Sequence, residues 1–362
     1  LSRYKDAHPD LARAFTDAME GILPADWDAD LPLFEDGAEG QATRQSSGAA
    51  LNALAKRIPT LFGGSADLAG SNETTVKGAE MFQSPDYSGR NIWFGVREHA
   101  MGAILNGMAV HGGLRVYGGT FMVFSDYLRP AIRLASLMHL PVTYVFTHDS
   151  IGVGEDGPTH QPVEQMAALR VIPNLVAIRP ADANETIAAW RYSLGHRDHP
   201  VALALTRQKL PILPKTKELA KEGVERGGYI LAKESGQQAD LILIASGSEV
   251  SLAMEAKAKL DAEGIDTRVV SMPSFALFEA QPATYRQEVL PPRVHARVGI
   301  EMLHPFGWDR YIGDAGRMIA IDHFGASAPA GTLMKEFGFT VEAIVAAAHA
   351  SRAHAAELFG GK

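Results

Sequence analysis

The stretch PVTYVFTHDSIGVGEDGPTHQPVEQ, from Pro141 to Gln165, joins an apolar, β-branched run to a loop rich in titratable side chains. Residues 142–147 form a continuous run of apolar, aromatic and β-branched side chains, which is typical of a strand buried on both faces of a sheet. The loop that follows holds two histidines, several acids, three glycines and two prolines. A simple connector needs only glycine, proline and a few polar residues to turn. Titratable side chains at a strand end therefore predict a functional site on a rigid scaffold.

The segments on either side of this stretch alternate between helix and strand patterns. Before it we expect a helix over TRQSSGAALNALAKRI with Thr43 as its N-cap, a strand running into the loop GGSADLAGSN, and the helices REHAMGAILNGMAVHG and FSDYLRPAIRLASLM. After it come a helix over residues 162–169, the strand LVAIRP, a helix from Asp182 and the strand VALALTR. This alternation predicts a parallel sheet covered on both faces. Ligands bind such sheets outside the carboxyl ends of the strands, where GGSADL, the quoted loop and Arg207 are expected to lie.

The alternation breaks in PILPKTKELAKEGVER, residues 211–226, and then resumes. DLILIASGSEVSLAMEAKAKLDAEG predicts a strand, a turn and a helix; DTRVVSMP, ARVGIEM and RMIAID predict strands; TVEAIVAAAHASRAHAAELF predicts a closing helix. We therefore expect an α/β protein with two domains, each a mostly parallel twisted sheet flanked by helices. The predicted segments are a linker or arm over 1–40, the first domain over 41–215, a linker over 216–223 and the second domain over 224–362.

The composition excludes several classes of protein. The 362 residues are 46% hydrophobic and 21% charged, which is ordinary for a globular chain of two or three domains. The net charge of −8 argues against nucleic acid as a partner. There is no cysteine, so disulfides and thiolate metal sites are excluded, which suits a cytoplasmic location. No apolar run approaches the length of about 20 residues that a membrane helix needs, so no membrane partner is expected.

Glu98 and a group of aromatic residues each have two readings from the sequence. Glu98 opens a small-residue helix, where an acid either stabilises the helix N-terminus through the dipole or is a buried carboxyl that shares a proton with a ligand. Phe121, Phe124 and Tyr127 are three residues apart and would cover one face if they were helical. Core packing is the commoner role for such a set, and a slot for a flat heterocycle is the rarer one.

His148 and His160 are the strongest candidates before any family is considered. They bracket the sequence GED on a loop stiffened by glycine and proline. Their spacing is not that of a helical metal-binding pair, and a zinc site is disfavoured without cysteine. Acid–base chemistry or hydrogen bonding to a polyhydroxy substrate fits them better. Arg44 and Arg207 each lie beside the end of a predicted element and could clamp a phosphate, although an isolated arginine is more often a surface charge.

Five segments together resemble the transketolase family: GGSADLAGSN, GVREHAMGAI, YGGTFMVFSDYLRPAIR, THDSIGVGEDGPTHQPVEQ and TRQKLP. Their order and spacing match across nearly the whole chain. The histidine-rich string is specific to transketolases and the related dihydroxyacetone synthase, whereas the other motifs occur in further thiamine-diphosphate enzymes. The resemblance implies a thiamine-diphosphate-binding-like first domain and a transketolase C-terminal-like second domain.

The resemblance also implies roles in cofactor binding. Glu98 matches the glutamate that binds N1′ of the aminopyrimidine of thiamine diphosphate. Phe121, Phe124 and Tyr127 match the aromatics that line the pyrimidine pocket, which reverses the preference for core packing. Asp67 matches an acid near the cofactor at the dimer interface. Glu98 is thus expected to be both cofactor-binding and catalytic.

Substrate contacts are implied in the same way. His148 and His160, expected to be catalytic, match histidines that contact the oxygens of the sugar. Asp156 matches the acid that reads the C2 hydroxyl. A phosphate clamp is implied for Arg44, Ser71 and Arg207 together with His148.

The family as a whole transfers a two-carbon ketol unit from a ketose phosphate, such as xylulose 5-phosphate, to an aldose phosphate, such as ribose 5-phosphate, in the pentose phosphate pathway. Its amino-terminal domain carries a GDG…N motif that holds Mg²⁺ (or Ca²⁺) and the cofactor diphosphate. No GDG occurs in this sequence, so no metal ligand is expected on this chain.

We therefore expect a chain that lacks this amino-terminal domain and is inactive alone. It would be a truncated transketolase that forms a homodimer, or the C-terminal subunit of a split transketolase that needs an N-terminal-domain partner chain. A dihydroxyacetone synthase and a non-catalytic binding subunit remain alternatives, whereas a pyruvate-dehydrogenase β-type subunit is disfavoured by the long loop.

Overall fold

The computed structural model describes residues 2–360, which form two α/β domains, each built around one main sheet. The elements up to residue 225 are α1 Ser2–Ala7, α2 Pro9–Glu20, β1 Gln41–Ala42, α3 Thr43–Arg57, β2 Leu61–Ser65, α4 Ala69–Asn72, β3 Asn91–Trp93, α5 Glu98–His111, β4 Arg115–Phe121, α6 Ser125–Leu137, β5 Val142–Thr147, α7 Gln165–Arg170, β6 Val176–Ile178, α8 Ala183–Gly195, β7 Val201–Leu205, β8 Lys209–Leu210 and α9 Thr216–Glu225. Two short 3₁₀ turns, Met122–Phe124 and Ile151–Val153, join them.

The first sheet has six strands in the order β3-β2-β4-β5-β7-β6, and every pair is parallel. The predicted α/β fold with a parallel sheet is thus confirmed. Phe121 at the end of β4 pairs with Thr147 at the end of β5, and Thr147 pairs with Leu205 at the end of β7. The loops that leave these three strands therefore start side by side. His148 lies in the loop after β5, and Arg207 lies in the segment after β7.

Helices cover both faces of this sheet. Leu51 and Leu54 of α3 pack with Trp190 of α8 on one face, and the indole of Trp190 donates a hydrogen bond to Ser47 Oγ at 2.7 Å. Leu105 of α5 and Leu128 of α6 pack on the other face. Burial on both faces explains why β5 is apolar throughout instead of alternating.

Helix α3 begins one residue away from the prediction. Its N-cap is Ala42, whose backbone N–H donates to Gln45 Oε1, and Thr43 is the first helical residue. The predicted N-cap at Thr43 is therefore wrong. The hydroxyl of Thr43 instead accepts a hydrogen bond from the backbone N–H of Thr206, which ties the start of α3 to the end of β7. This tertiary contact places Arg44 on the same side of the sheet as Arg207.

The second domain is a mixed sheet with flanking helices. Its elements are β9 Tyr229–Ala232, β10 Leu241–Ala245, α10 Glu249–Ala262, β11 Thr267–Ser271, α11 Phe275–Glu279, α12 Ala283–Val289, β12 Arg297–Ile300, α13 Asp309–Ile312, β13 Arg317–Ile319, α14 Ala330–Glu336 and α15 Val341–Phe359. The strand order is β13-β12-β10-β11-β9, and only β9 runs antiparallel to its neighbour. The prediction of a mostly parallel sheet is confirmed, although it did not include strand β9.

The segment predicted as a linker, residues 216–223, lies within α9. Ala220 and Val224 on this helix are buried against the core of the first domain. The boundaries of the domains stay a prediction. Throughout residues 2–360, every helix is too short or too polar to cross a bilayer.

Candidate functional site

Two histidines and two phenylalanines meet at the carboxyl ends of β4 and β5. The ring centroids of Phe121 and His148 are 3.7 Å apart and the rings stack at 24°. The ring of His160 stands edge-on to both phenylalanines, at 6.0 Å from Phe121 and 5.7 Å from Phe124. The long loop after β5 therefore folds back, so that His160 returns to the strand end from which His148 leaves.

Two arginines make this edge of the sheet positive. Arg44 donates a hydrogen bond from Nη1 to the backbone carbonyl of Ser71, at 2.8 Å. Burial lowers the pKa of Arg44, and the nearby charge of Arg207 lowers it further. The charge of Glu73 raises the pKa of Arg44, but burial and Arg207 outweigh it, and an anion would relieve the repulsion between the two arginines. The arrangement is suited to a phosphate group.

His148 has the most strongly perturbed environment of the cluster. Its side chain is 3% exposed, and burial lowers its pKa to about 3, with further contributions from the charges of Arg44, Arg207 and His160. Its backbone is left-handed, with φ of 62°, and Asp67 after β2 has the same φ. Non-glycine residues in this region cost free energy and are concentrated at functional sites.

The lowered pKa of His148 predicts an acid-sensitive fold. The unfolded histidine binds a proton below pH 6.5 and the folded one does not, so the free energy of unfolding falls as the pH drops. Each pH unit below the ordinary pKa of 6.5 lowers the free energy of unfolding by about 1.4 kcal/mol. At pH 5 the loss is therefore about 2 kcal/mol. We expect His148→Asn, measured by urea unfolding, to be more stable relative to wild type at pH 5 than at pH 7.5 by about that amount. An equal difference at both pH values would contradict the prediction.

The three predicted aromatics do not share a helix face. Phe121 ends β4, Phe124 ends a 3₁₀ turn and Tyr127 lies in the first turn of α6. Their rings nevertheless form a ladder: Phe121 and Phe124 are parallel at 6.1 Å, and Tyr127 follows at 6.1 Å from Phe124. Tyr127 is 64% exposed, so core packing does not explain it. The ladder leads from the histidine cluster to the surface.

Glu98, Asp67 and Asp156 are not hydrogen-bonded or ion-paired to this cluster. Within residues 2–360 none of the three makes a side-chain hydrogen bond or ion pair. Asp67 and Asp156 are exposed, whereas Glu98, the first residue of α5, is only 8% exposed. Its carboxylate oxygens have no protein partner in the described chain and still reach solvent, so they are free to bind a ligand that shares a proton with them.

The sequence did not point to Arg179, which holds the base of the long loop. It follows β6 directly, is fully buried, and donates from Nε to Asp149 Oδ2 at 2.8 Å. It also donates to the backbone carbonyl of Ser246 at 2.9 Å and forms an ion pair with Glu249, both in the second domain. The available signal was an arginine directly after an all-apolar strand, a position where a charge has to find a buried partner.

The second domain also fixes the middle of the long loop. Gln161 Nε2 donates to the carbonyls of Gly154, at 2.8 Å, and Ala326, at 2.9 Å. Ser327 Oγ donates to the carbonyl of Glu155 at 2.5 Å. The second domain therefore holds the loop that carries His148 and His160 in place.

The described residues offer no site for a metal ion. In residues 2–360, no group of three or more histidine, aspartate or glutamate side chains is arranged to hold one. The described part of this chain therefore does not provide the ligands for the Mg²⁺ that the family resemblance implies.

Comparison with known proteins identifies the family. Residues 39–212 match the transketolase pyrimidine binding domain and residues 227–340 match the transketolase-like C-terminal domain. The transketolase of Halalkalibacterium halodurans is 60% identical over 350 residues, which are 97% of this chain and 52% of that protein. The chain thus spans about half the length of the curated relatives that it matches.

Two solved structures are informative neighbours. A Pichia stipitis transketolase in complex with sedoheptulose-7-phosphate superimposes with a TM-score of 0.93 at 42% identity, over 98% of this chain and 52% of that one. A split-gene transketolase, described as an inactive β4 tetramer, has a TM-score of 0.71 at 25% identity, over 87% of this chain and 99% of that one. The chain therefore belongs to the transketolase family, and it carries the pyrimidine-binding and C-terminal domains of that family.

Proposed function

We propose that this chain forms the pyrimidine-binding and substrate-binding half of an enzyme that transfers a two-carbon ketol unit between sugar phosphates. The observation that carries the proposal is the positively charged cluster at the carboxyl edge of the first sheet, where Arg44 and Arg207 lie beside His148 and His160. The two arginines can form charged hydrogen bonds with a phosphate, and the two histidines can form hydrogen bonds with the hydroxyl groups of a sugar.

The residues present fit an aminopyrimidine. Glu98 is a mostly buried residue whose carboxyl has no partner in the described chain, and it would hold a proton at a ring nitrogen. The ladder of Phe121, Phe124 and Tyr127 supplies aromatic faces beside which a flat ring packs. When bound, thiamine diphosphate supplies the electron sink that cleavage of a ketose carbon–carbon bond requires.

The substrates proposed are xylulose 5-phosphate as donor and ribose 5-phosphate as acceptor, as in the pentose phosphate pathway. Arg44, Arg207 and Ser71 would hold the phosphate, and Asp156 would bind the C2 hydroxyl. His148 and His160 would contact the sugar oxygens and transfer protons between them. The sugar-phosphate complex of the Pichia stipitis relative supports this substrate class.

We propose a homodimer in which α5, α6 and the turn after β3 face the partner subunit. Several large apolar side chains on these elements are exposed, which is unusual for a monomer surface. They are Trp93, Val96, Ile104, Val110, Tyr127, Leu134, Leu137 and Met138. The metal, Mg²⁺ or Ca²⁺, and the cofactor diphosphate would be bound by an N-terminal domain. A cytoplasmic location stays a prediction from the cysteine-free sequence.

A second arrangement, the C-terminal subunit of a split transketolase, is favoured by one observation. The split-gene neighbour is matched over 99% of its length, so a chain of this extent occurs as a separate subunit in that protein. In this arrangement the charged cluster keeps the same role, and the N-terminal domain is a partner chain.

An activity assay tests the proposal. The purified chain should show no ketol transfer from xylulose 5-phosphate to ribose 5-phosphate with thiamine diphosphate and Mg²⁺. Addition of the N-terminal half of the Halalkalibacterium halodurans transketolase should restore it, because that half is expected to provide the missing diphosphate site. Arg44→Ala with Arg207→Ala should raise the KM for both sugars in the restored enzyme. A complex that assembles and binds the cofactor but transfers no ketol unit would contradict the proposal.

A further inference from the structure

A short turn of the long loop carries Asp156 and His160, and the side chain of Gln161 closes it. The backbone N–H of Gly157 donates to the carbonyl oxygen of Gly154 at 3.1 Å, and that of His160 donates to the carbonyl oxygen of Gly157 at 3.0 Å. Gln161 Nε2 donates to the same carbonyl oxygen of Gly154 at 2.8 Å. One side chain therefore joins the two ends of the turn, and both predicted sugar-binding residues lie between these ends.

The second domain holds the same turn from outside. Gln161 Nε2 also donates to the carbonyl oxygen of Ala326 at 2.9 Å, and Ser327 Oγ donates to the carbonyl oxygen of Glu155 at 2.5 Å. Ala326 and Ser327 thus form a clamp on the turn. Gln161 is 2% exposed, so its two hydrogen bonds lie in a region of low dielectric, where such bonds are strong.

The two bonds fix the direction in which the amide of Gln161 faces. Carbonyl oxygens only accept hydrogen bonds, so the NH₂ group must face Gly154 and Ala326, and both of its protons are used. Oε1 then faces Gly325, and it has no hydrogen-bond partner among the described residues. Only a side chain with two donor protons at this position reproduces the arrangement.

Gly325 provides the space that the amide needs. A Cβ at Gly325 would overlap Oε1 of Gln161. The φ of Gly325 lies outside the left-handed region, so its backbone would accept alanine, and the contact with Gln161 is what excludes a side chain. On the facing segment, a Cβ at Gly157 would lie only 3.2 Å from Ser327 Cβ. Glycines on both sides therefore let the backbones of the two domains approach closely.

The ring of His160 is held by the first domain instead. It stands edge-on to Phe121 and Phe124, with centroid distances of 6.0 and 5.7 Å. The backbone on either side of His160 is tied to the clamp through Gln161 and Glu155. The position of this side chain therefore depends on both domains.

We propose that Gln161 is a positioning residue that transmits the position of the clamp to the turn, and so sets how Asp156 and His160 meet the substrate. This inference rests on the proposed function for the identity of the substrate. It gives the second domain a part in the reaction, although the predicted site residues all belong to the first. A displacement of about 1 Å at a substrate-binding group can lower a rate by about 10²-fold.

Hydrogen exchange of backbone amides, followed by NMR on the purified chain, tests the positioning directly. Gln161→Leu keeps a side chain of similar size but removes both donors. We expect the amides of Gly157 and His160 to exchange faster in this variant by about 10-fold more than the amides of strand β5 do. No acceleration in the turn, or equal acceleration in the turn and in β5, would overturn the inference.

Gln281→Leu is the matched control for this substitution. Gln281 also donates through Nε2 to a backbone carbonyl oxygen, that of Leu277 at 3.0 Å, within the second domain. Its replacement should leave the exchange of the turn unchanged. If Gln281→Leu accelerates the turn as strongly as Gln161→Leu does, the effect is not specific to the clamp and the inference fails.

Gly325→Ala tests the same contact from the second domain. Alone, it should displace Gln161 and accelerate exchange in the turn, whereas in a Gln161→Ala background it should add little, because both substitutions act through one contact. Gly331→Ala is the control, since a Cβ at Gly331 would meet open space. Additive effects of Gly325→Ala and Gln161→Ala would contradict the coupling between the two residues.

The restored enzyme, with the N-terminal half of the Halalkalibacterium halodurans transketolase, tests the consequence for the reaction. Gln161→Leu should lower kcat/KM for ribose 5-phosphate by about 10–10²-fold. Inhibition by inorganic phosphate should be unchanged, because Arg44 and Arg207 lie on other segments. Unchanged kcat/KM, or an equal loss of phosphate affinity, would overturn the inference. A wild-type complex without activity would count against the proposed function instead, and the exchange experiments would still decide the positioning of the turn.

Discussion

Arg179→Met is expected to lower the free energy of unfolding by about 3–5 kcal/mol, the usual cost of removing one partner from a buried ion pair. Arg179 is fully buried and its loss would leave Asp149 and Glu249 without their cation. Burial raises the pKa of Glu249 and Arg179 opposes this effect, so the variant would also favour protonation of that carboxyl. Urea unfolding followed by tryptophan fluorescence measures the change.

The surface pair of Arg57 provides the control for Arg179. Arg57 bonds to Asp30 at 2.7 Å and pairs with Asp26, and these side chains are partly or largely exposed. Exposed pairs contribute little to stability, so Arg57→Met should cost much less than Arg179→Met. Equal losses for the two variants would mean that the buried network between the domains has no special role.

Glu98→Gln is expected to lower the kcat of the assembled enzyme by about 10²–10⁴-fold, the range for loss of a general acid–base group. Glutamine keeps the shape of the side chain but cannot hold a proton at a ring nitrogen of the cofactor. Steady-state ketol transfer with saturating thiamine diphosphate measures the effect. Glu342→Gln is the matched control, because Glu342 also lies in the first turn of a helix and bonds only to the surface Lys259.

The alternative role of Glu98, stabilising the N-terminus of α5, makes a different prediction. In that case Glu98→Gln would reduce stability by about 0.3–1 kcal/mol and leave kcat unchanged. Both quantities are therefore measured on the same variant. Unchanged kcat with reduced stability would contradict the catalytic role.

The parts of the fold that could be predicted are those indicated by the pattern of apolar and polar residues within one element. The continuous apolar run of β5 indicated a buried parallel strand, because both faces of that sheet are covered. The rule that ligands bind at the carboxyl ends of strands then grouped His148 with Arg207. The register of β4, β5 and β7 explains why this grouping works, since their last residues pair directly.

The errors and omissions concern contacts between distant parts of the chain and junctions between consecutive elements. Thr43 has a good N-cap side chain, but its hydroxyl is engaged by Thr206, which is 163 positions away. Phe121, Phe124 and Tyr127 have helical spacing, but the chain changes from strand to 3₁₀ turn to helix across them. Periodicity describes one element at a time and contains no information about such junctions.

The hydrogen-bonded residues beside His148 were hidden for the same reason. Asn72 and Thr147 are ordinary polar residues in the sequence, and the hydrogen bond between them joins α4 to the end of β5. Arg179 could have been noticed as a charge at the end of an apolar strand, but its partner Glu249 lies in another domain. A single sequence gives no direct sign of either pairing.

The clamp formed by Ala326 and Ser327 has a consequence for protein engineering. Exposed loops are normally the best places to insert tags or whole domains. This loop is exposed, yet it forms hydrogen bonds to Gln161 and Glu155 in the loop that carries the two histidines. An insertion here would displace these bonds and so disturb a site in the other domain. The turn at Ser235 and Gly236, whose backbone bonds only to Asp266 of its own domain, is the better place for a graft.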